Sequence, residues 1–431
     1  MTKPLFIQVH TLTSYPGALL NRDDVGFAKR MPFGGETRTR ISSQCLKRHW
    51  RTFEGEHSLA SLRAGEDPVA LSVRSRHTFA QYVLAPLVEG GVSADLARAA
   101  TEAVMVAVLG ESAKAKKAKE ESQAAEEPRA DGEAAAKGKK KASKKEAADE
   151  GPASVMTQQV TVLGRPEIEF FLAEARALAT DAGSLDKLEE AKKKRFTKEW
   201  GRNLDGLRRA AGLDAALFGR MVTSDKLSRA DAAIHVAHAF TVHAERAETD
   251  YFAAIDDLTG TGDDAQLGSG HIGTTELTSG LFYGYVVVDV AQLVSNLEGC
   301  PAKGWAAADR KLAADVVASL VQLAARVTPG AKKGSTAPYA CAHLTMVEAG
   351  SAQPRTLANA FLKPVDDRPD LIGNAYSALA SYTTDVDQVF GDPNRRALAV
   401  IAATEAVKAL GSLGSLDSVA RFAAGAVVEH K

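Results

Sequence analysis

Between Arg22 and Arg51 the chain carries eight Lys or Arg residues against three acidic ones, Asp23, Asp24 and Glu36. The whole chain has a formal net charge of −1, so this is a local concentration of cations, the mark of an anion-binding face. Extended backbone from Thr37 to Ser42 would place Arg38, Arg40 and Ser42 on one side by the two-residue period of a strand. Ser42 or Ser43 then makes a plausible N-cap. In the helix that follows, Gln44, Lys47, Arg48 and Arg51 stand at i, i+3, i+4 and i+7, while Leu46, Trp50 and Phe53 form the opposite, core-facing stripe. So dense a set of donors suits a phosphodiester backbone. The backbone amides of Gly34, Gly35 and the helix start add further anion sites. The competing account is a solvated helix face, but such a face mixes charge signs and this one does not.

Other constellations are weaker. Gly268 to Gly273 spells G-x-G-x-x-G, yet it follows an acidic loop and precedes a strand, the wrong context for a dinucleotide site. No G-x-x-x-x-G-K-[ST] is present. His235, His238 and His243 fall on roughly one face if a helix spans Ser228 to Glu245; zinc is conceivable, but no Cys or carboxylate completes a site, so core or interface histidines are the expectation. Asp23 and Asp24 could hold a metal for RNA cleavage, or simply pair with Arg22 and Lys29. Cys45, Cys300 and Cys341 are odd in number and far apart, which fits neither a disulfide framework nor a zinc site and points to a reducing cytoplasm.

These residues need a scaffold. Length (431 residues) implies two or three substructures, and 45 % hydrophobic with 25 % charged residues is globular composition without an apolar run long enough to span a bilayer. A strand is expected from Leu5 to Leu12, broken by Ser14 to Gly17, and the clearest strand runs from Phe282 to Val290. Residues 67 to 110 read as helical. From Ser112 to Pro152 there is no aromatic residue and no Val, Ile or Leu, which predicts a disordered, charged insertion. Helices are expected at Pro166 to Ala179, Leu185 to Gly212 and Asp309 to Arg326, with a strand near Ala340 to Val347. Strands early, midway and late with helical blocks between them describe one discontinuous α+β core carrying insertions.

Asn21-Arg-Asp-Asp24, Phe33-Gly-Gly35 and Arg38-x-Arg-Ile-Ser-Ser-Gln-x-Leu-Lys-Arg48 resemble the N-terminal signature of the CasC family, the backbone subunit of the type I-E CRISPR complex Cascade. The likeness continues in Leu217 to Ser224, Ala233 to Ala239, Tyr251 to Leu258, His271 to Gly280, Phe282-Tyr283, Pro329 to Lys332 and Leu357 to Phe361. The resemblance implies an RRM-like (ferredoxin-like) palm with a helical finger insertion and a β-hairpin thumb. The implied division is palm at 1–66, fingers at 67–215, palm at 216–247, thumb at 248–284 and palm at 285–431. It further implies a non-catalytic protein without cofactors. Copies would polymerise head to tail along CRISPR guide RNA beside other Cascade subunits and present the guide to target DNA. Lys29, Lys47 and Arg48 would hold guide phosphates, with Asn21, Arg22, Arg38, Arg40, Ser42, Gln44 and Arg51 nearby. Met221 would wedge at a kinked base, and Tyr251, Phe252, Ile272 and Thr274 would belong to the thumb. Two alternatives stay open: a metal-dependent ribonuclease of the type III backbone kind using Asp23 or Asp24, and a monomeric RNA chaperone.

Overall fold

The computed structural model describes residues 5–110, 155–197, 200, 212–220, 231–255, 269–391 and 394–430, with backbone only at 253–255 and 269–272. The charged stretch from Ser112 to Pro152, the far part of the helix expected to Gly212, and Met221 lie outside them. The chain divides into two compact units, one made of Met1–Val69, Ala216–Gly219 and Asp231–Lys431, the other of Ala70–Ala215 and Arg220–Ala230.

The strands, in chain order, are β1 (Phe6–Ala18), β2 (Arg30–Phe33), β3 (Glu36–Ile41), β4 (Arg63–Ala64), β5 (Asp67–Pro68), β6 (Val73–Ser75) and β7 (Thr161–Leu163). They continue with β8 (Ile234–Val236), β9 (Ala239–Thr241), β10 (Ala247–Ile255), β11 (Ser269–Asp289), β12 (Leu344–Gly350), β13 (Arg395–Val400) and β14 (Ser412–Leu413). Apart from the β4–β5 hairpin, the strands of the first unit form a single sheet in the order β14-β13-β12-β1-β11-β9-β3-β2, with β8 and β10 also paired to β11. Every pairing in it is antiparallel except β13 with β14.

β1 is central and covered on both faces, which is why its hydrophobic positions run nearly unbroken: Ile7, Val9 and Leu12 are all fully buried. It does not stop at Ser14. Pairing with β11 extends to Ala18 opposite Thr278, and a register shift after Tyr15 absorbs Pro16 and Gly17. A bulge accommodates a proline that a regular ladder would reject. On one face Tyr15, Ile41, Ala239 and Phe282 pack with Leu46 of helix α1 (Ser43–Arg51). The helix Lys311–Arg326 packs against β1, α1 and the helix Leu416–Glu429. The opposite face buries Leu12, Phe240, Tyr283, Leu344 and Met346 beneath the helix Leu371–Phe390, from which Ala375, Tyr376 and Leu379 point inward.

That second face also holds a buried polar row. Arg396 donates to Glu348 at 2.6 Å and to Asp387 at 2.7 Å, Arg355 donates to Asp387, and the Tyr285 hydroxyl donates to Gln8 at 2.6 Å. Burial opposes ionisation of Glu348, but His10, its Nε2 3.4 Å from the carboxylate, and the charge and hydrogen bond of Arg396 hold its carboxyl down at about 2.

β2 and β3 form a hairpin with Phe33 opposite Glu36, and the two central residues, Gly34 and Gly35, have φ of +64° and +83°. Two positive φ values make a type I′ turn, whose twist matches that of the strands. Gly34 has a second reason to be glycine: a Cβ there would lie 1.6 Å from the Leu362 carbonyl oxygen. Gly34→Ala is therefore expected to cost about 1–3 kcal/mol, whereas at Gly35 there is nothing within 4 Å and Asn should be tolerated. Comparing the two melting temperatures checks this: equal values would show that the contact with Leu362 does not matter.

The second unit opens not with a helix but with β6, paired to β7. Helices then span Ala94–Leu109, Arg165–Ala182 and Leu188–Arg195. Phe79 stacks on Phe171 at 5.8 Å within a core that includes Val104, Met105 and Ile168. Glu167 accepts the Gly164 N–H at 2.9 Å and a hydrogen bond from Arg220 at 2.7 Å, both side chains being almost wholly buried. Removing one member strands the other charge in a low dielectric, so Arg220→Ala is expected to destabilise the protein by about 3–5 kcal/mol. A chemical denaturation curve that coincides with the wild type would refute that. Among the described residues no helix is long and apolar enough to cross a membrane.

Candidate nucleic-acid interface

All the described candidate residues belong to the first unit. Ser42 is the N-cap of α1, its Oγ accepting from the Cys45 N–H, and its own N–H donates to Asn21 Oδ1 at 2.9 Å. That bond ties the loop 21–29 to the start of the helix. Within the loop, Asp23 Oδ1 accepts from the N–H groups of Val25, Gly26 and Phe27 at 2.8–3.0 Å. One oxygen of the candidate metal ligand is thus committed to shaping a turn. Asp24 and Arg22 are exposed. Among the described residues no group of three or more His, Cys, Asp or Glu side chains is placed to hold a metal.

Helix α1 buries Trp50 and leaves Gln44 and Arg48 exposed, with Lys47 and Arg51 half-buried, so the polar stripe read from the sequence lies away from Trp50. Arg40 donates from Nε to the Arg30 carbonyl at 3.0 Å and from Nη1 to His238 Nδ1 at 2.9 Å. Arg38 departs from the expectation. Its side chain is wholly buried, donating to the carbonyls of Phe33, Thr241 and Phe361 at 3.2, 2.9 and 3.0 Å. Arg40, two residues on, points to the same side of β3, but the cover formed by Phe33 and the turn ending at Phe361 closes over Arg38 and leaves Arg40 only half-buried. Ser42 is likewise buried and serves the backbone.

The histidine reading is corrected too. Residues 234–236 and 239–241 are strands, since β11 needs partners and Ile234, Val236 and Thr241 suit a ladder. The three histidines therefore diverge: His235 bonds the Ala232 carbonyl, His238 meets Arg40, and His243 is buried between the Ala244 carbonyl and the Leu281 N–H.

Two segments distant in sequence complete the basic face. His49 Nδ1 lies 2.8 Å from the Cys45 carbonyl and so carries the ring proton, leaving Nε2 to accept the Gly330 N–H at 3.4 Å. This brings the loop with Lys332 and Lys333 against α1, and the Ala331 N–H binds the Leu19 carbonyl at 2.9 Å. Burial raises the Cys45 thiol, opposed by Arg48, Lys29 and Lys333, so cations from three segments act on one point. Local sequence gives neither lysine a site role, although Pro329-Gly-Ala-Lys332 is among the motifs that carry the family resemblance.

The hairpin β10–β11 sets Tyr251 opposite Thr274 and Phe252 opposite Gly273. Tyr251 and Phe252 are both exposed, at 61 % and 40 %. A Cβ on Gly273 would lie 2.4 Å from the Phe252 ring, so the missing side chain lets the ring cross the ladder. Lys332 Nζ sits 5.1 Å from that ring's centroid, a cation–π contact joining the hairpin to the Lys332 loop. Arg30 bridges Glu245 at 2.6 Å and Glu276 at 2.5 Å, fixing the hairpin base to the start of β2. Of Ile272 only the backbone, on β11, is described.

His49, His238 and His243 are all lowered from the ordinary histidine value, first by burial and then by neighbouring cations. An unfolded chain binds protons at these sites below about pH 6.5 while the folded chain resists, so stability is full above that value and falls as pH drops below it. Glu348 does not act in this window, because its effect begins only where carboxylates titrate. The expected outcome is a melting temperature that declines from pH 7 to 5.5; a flat profile would contradict the neutral histidines.

Chains of solved structures share this fold, among them two from RNA-guided surveillance complexes. One, a chain of a "CRISPR RNA-guided surveillance complex, pre-nicking", is 24 % identical, with 97 % of this chain and 100 % of that one covered and a TM-score of 0.70. The other, a chain of a "CRISPR RNA-guided surveillance complex", is 22 % identical, with coverage of 98 % and 99 % and a TM-score of 0.63. Among curated proteins none matches the sequence. The profile of the Cas_CT1975 family, described as CT1975-like protein, matches residues 7–422, nearly the whole length, and the chain therefore belongs to that family.

Proposed function

We propose that the chain is a non-catalytic guide-RNA-binding subunit that polymerises head to tail along CRISPR RNA, forming the backbone of a type I-E Cascade complex and presenting the guide to target DNA. The observation that carries this reading is the basic face. Lys29 from a loop, Arg40 from β3, Lys47 and Arg48 from α1, and Lys333 from a second loop all converge in the first unit. Among the described residues no carboxylate pairs with Lys29, Arg40, Arg48 or Lys333. A surface of cations and amides without base-edge readout suits binding to RNA of any sequence. Sequence choice is then left to base pairing.

The topology supports an RRM-like palm. The strand order β12-β1-β11 followed by β8 and β9, with α1 after β1 and the helix Lys311–Arg326 between β11 and β12, follows a β-α-β-β-α-β path. On this reading β10–β11 is the thumb, with Tyr251, Phe252, Ile272 and Thr274 serving the displaced nucleotide. Met221 wedges at the kink, the Ala70–Ala215 unit supplies the fingers, and other Cascade subunits join the filament in a reducing cytoplasm. The shared fold with chains of RNA-guided surveillance complexes fits this assignment. The turn-shaping work of Asp23 weighs against the ribonuclease alternative.

The test is co-expression with a CRISPR array and partner subunits, followed by native mass measurement and extraction of nucleic acid. A multi-copy particle holding uniform short RNA is expected, with added target left uncut in the presence of divalent metal. A bare monomer would overturn the filament, and metal-dependent cutting at regular intervals would restore the ribonuclease.

A further inference from the structure

His238 lies in the short link between β8 and β9, exposed, beside the basic face but absent from any reading of its charge. Its Nδ1 is 2.9 Å from Arg40 Nη1. A guanidinium offers only N–H groups, so Nδ1 must be the acceptor and the single proton of the neutral ring must sit on Nε2. Arg40 is itself fixed from the other side, its Nε donating to the Arg30 carbonyl at 3.0 Å. The ring is thereby held in one tautomer with a donor turned away from Arg40, and among the described residues no protein group accepts from that Nε2–H. We propose that His238 is a further RNA contact, its Nε2–H donating to a backbone oxygen of the bound strand, either a phosphate or a ribose 2′-hydroxyl.

Three cations surround this position: Lys29 from the loop 21–29, Arg40 from β3 and Lys47 from α1. Partial burial of the ring, and after it these cations, lower its pKa from the ordinary histidine value and so favour the neutral form. The contact is therefore a hydrogen bond without net charge, set among groups that attract phosphates by charge alone. It supplies direction where flexible lysines supply attraction. This inference rests on the RNA-binding reading above, and its test keeps the two separable.

Asn at 238 keeps an acceptor in the place of Nδ1 for Arg40 but loses the distal donor. Gln keeps a donor near the place of Nε2. Binding of the full-length His238→Asn and His238→Gln proteins to a fluorescein-labelled 30-nucleotide RNA is compared with wild type across a salt series, alongside the Lys47→Ala/Arg48→Ala double variant. His238→Asn is expected to weaken binding roughly 3- to 10-fold with no change in salt slope, since no charge is lost, and His238→Gln to stay within about twofold of wild type. The reverse order, Asn like wild type and Gln weakened, would show that His238 only positions Arg40 and would overturn the proposal. Wild-type affinity in both variants would overturn it equally, leaving the RNA reading intact if the double variant still binds weakly. If the double variant also binds like wild type, the RNA reading itself fails. Repeating the series on the 2′-deoxy strand identifies the oxygen: an Asn effect confined to RNA assigns the ribose hydroxyl, and an equal effect on both strands assigns a phosphate.

Discussion

Arg38→Ala is expected to lower stability by about 3–5 kcal/mol, a large fraction of what a protein of this kind has to lose. The guanidinium is fully buried, has no carboxylate partner among the described residues, and is met by three carbonyl oxygens from β2, β9 and the turn Ala358–Phe361. Truncation removes one donor from each of the three oxygens, two of them in buried contacts, where each such loss costs about 1–3 kcal/mol before relaxation. Lysine should rescue little, because one ammonium cannot reach three oxygens spread around a planar fork. RNA binding would fall as well, but only as a consequence of unfolding. The measurement is a melting curve of the Ala and Lys variants; transitions within about 2 °C of wild type would show that the residue belongs to the surface after all.

Lys47→Ala with Arg48→Ala is expected to do the opposite, leaving the melting temperature nearly unchanged and weakening RNA binding steeply. Both residues sit on the stripe of α1 away from the buried Trp50. Surface substitutions of that kind usually move stability by no more than about 0.5 kcal/mol. Each lost phosphate contact should reduce the slope of log affinity against log salt by about 0.7, so by about 1.4 for the pair. Affinity measured between 50 and 200 mM salt decides the matter, and an unchanged slope would mean that these side chains do not touch phosphate. The contrast with Arg38 is the sharper result: two arginines of one motif, ten residues apart, should separate into one that holds the fold and one that holds the ligand.

Much of this was legible in the chain itself. The stripe Gln44, Lys47, Arg48 and Arg51 opposite Leu46 and Trp50 follows from helical period alone, and the Ser42 cap from its side-chain chemistry. The helices near 165–182 and 311–326 and the long apolar strand into Asp289 were readable for the same reason: a repeated local pattern dictates them. Local pattern could not say that the cover on their shared side of β3 would close over one arginine and not the other, so Arg38 looked like Arg40. It could not reject a helix over Ser228 to Glu245, where alanines and histidines fit helical spacing until β11 claims the segment by pairing. Nor could it bring Lys333 to α1 through the His49–Gly330 bond, or set His238 against Arg40 across nearly two hundred residues. The sequence by itself determined the elements, the basic segment and its anion chemistry, because those depend on neighbours along the chain. Only the tertiary structure decided which cations are buried and which join the face, because burial and pairing depend on residues that become neighbours only once the sheet has formed.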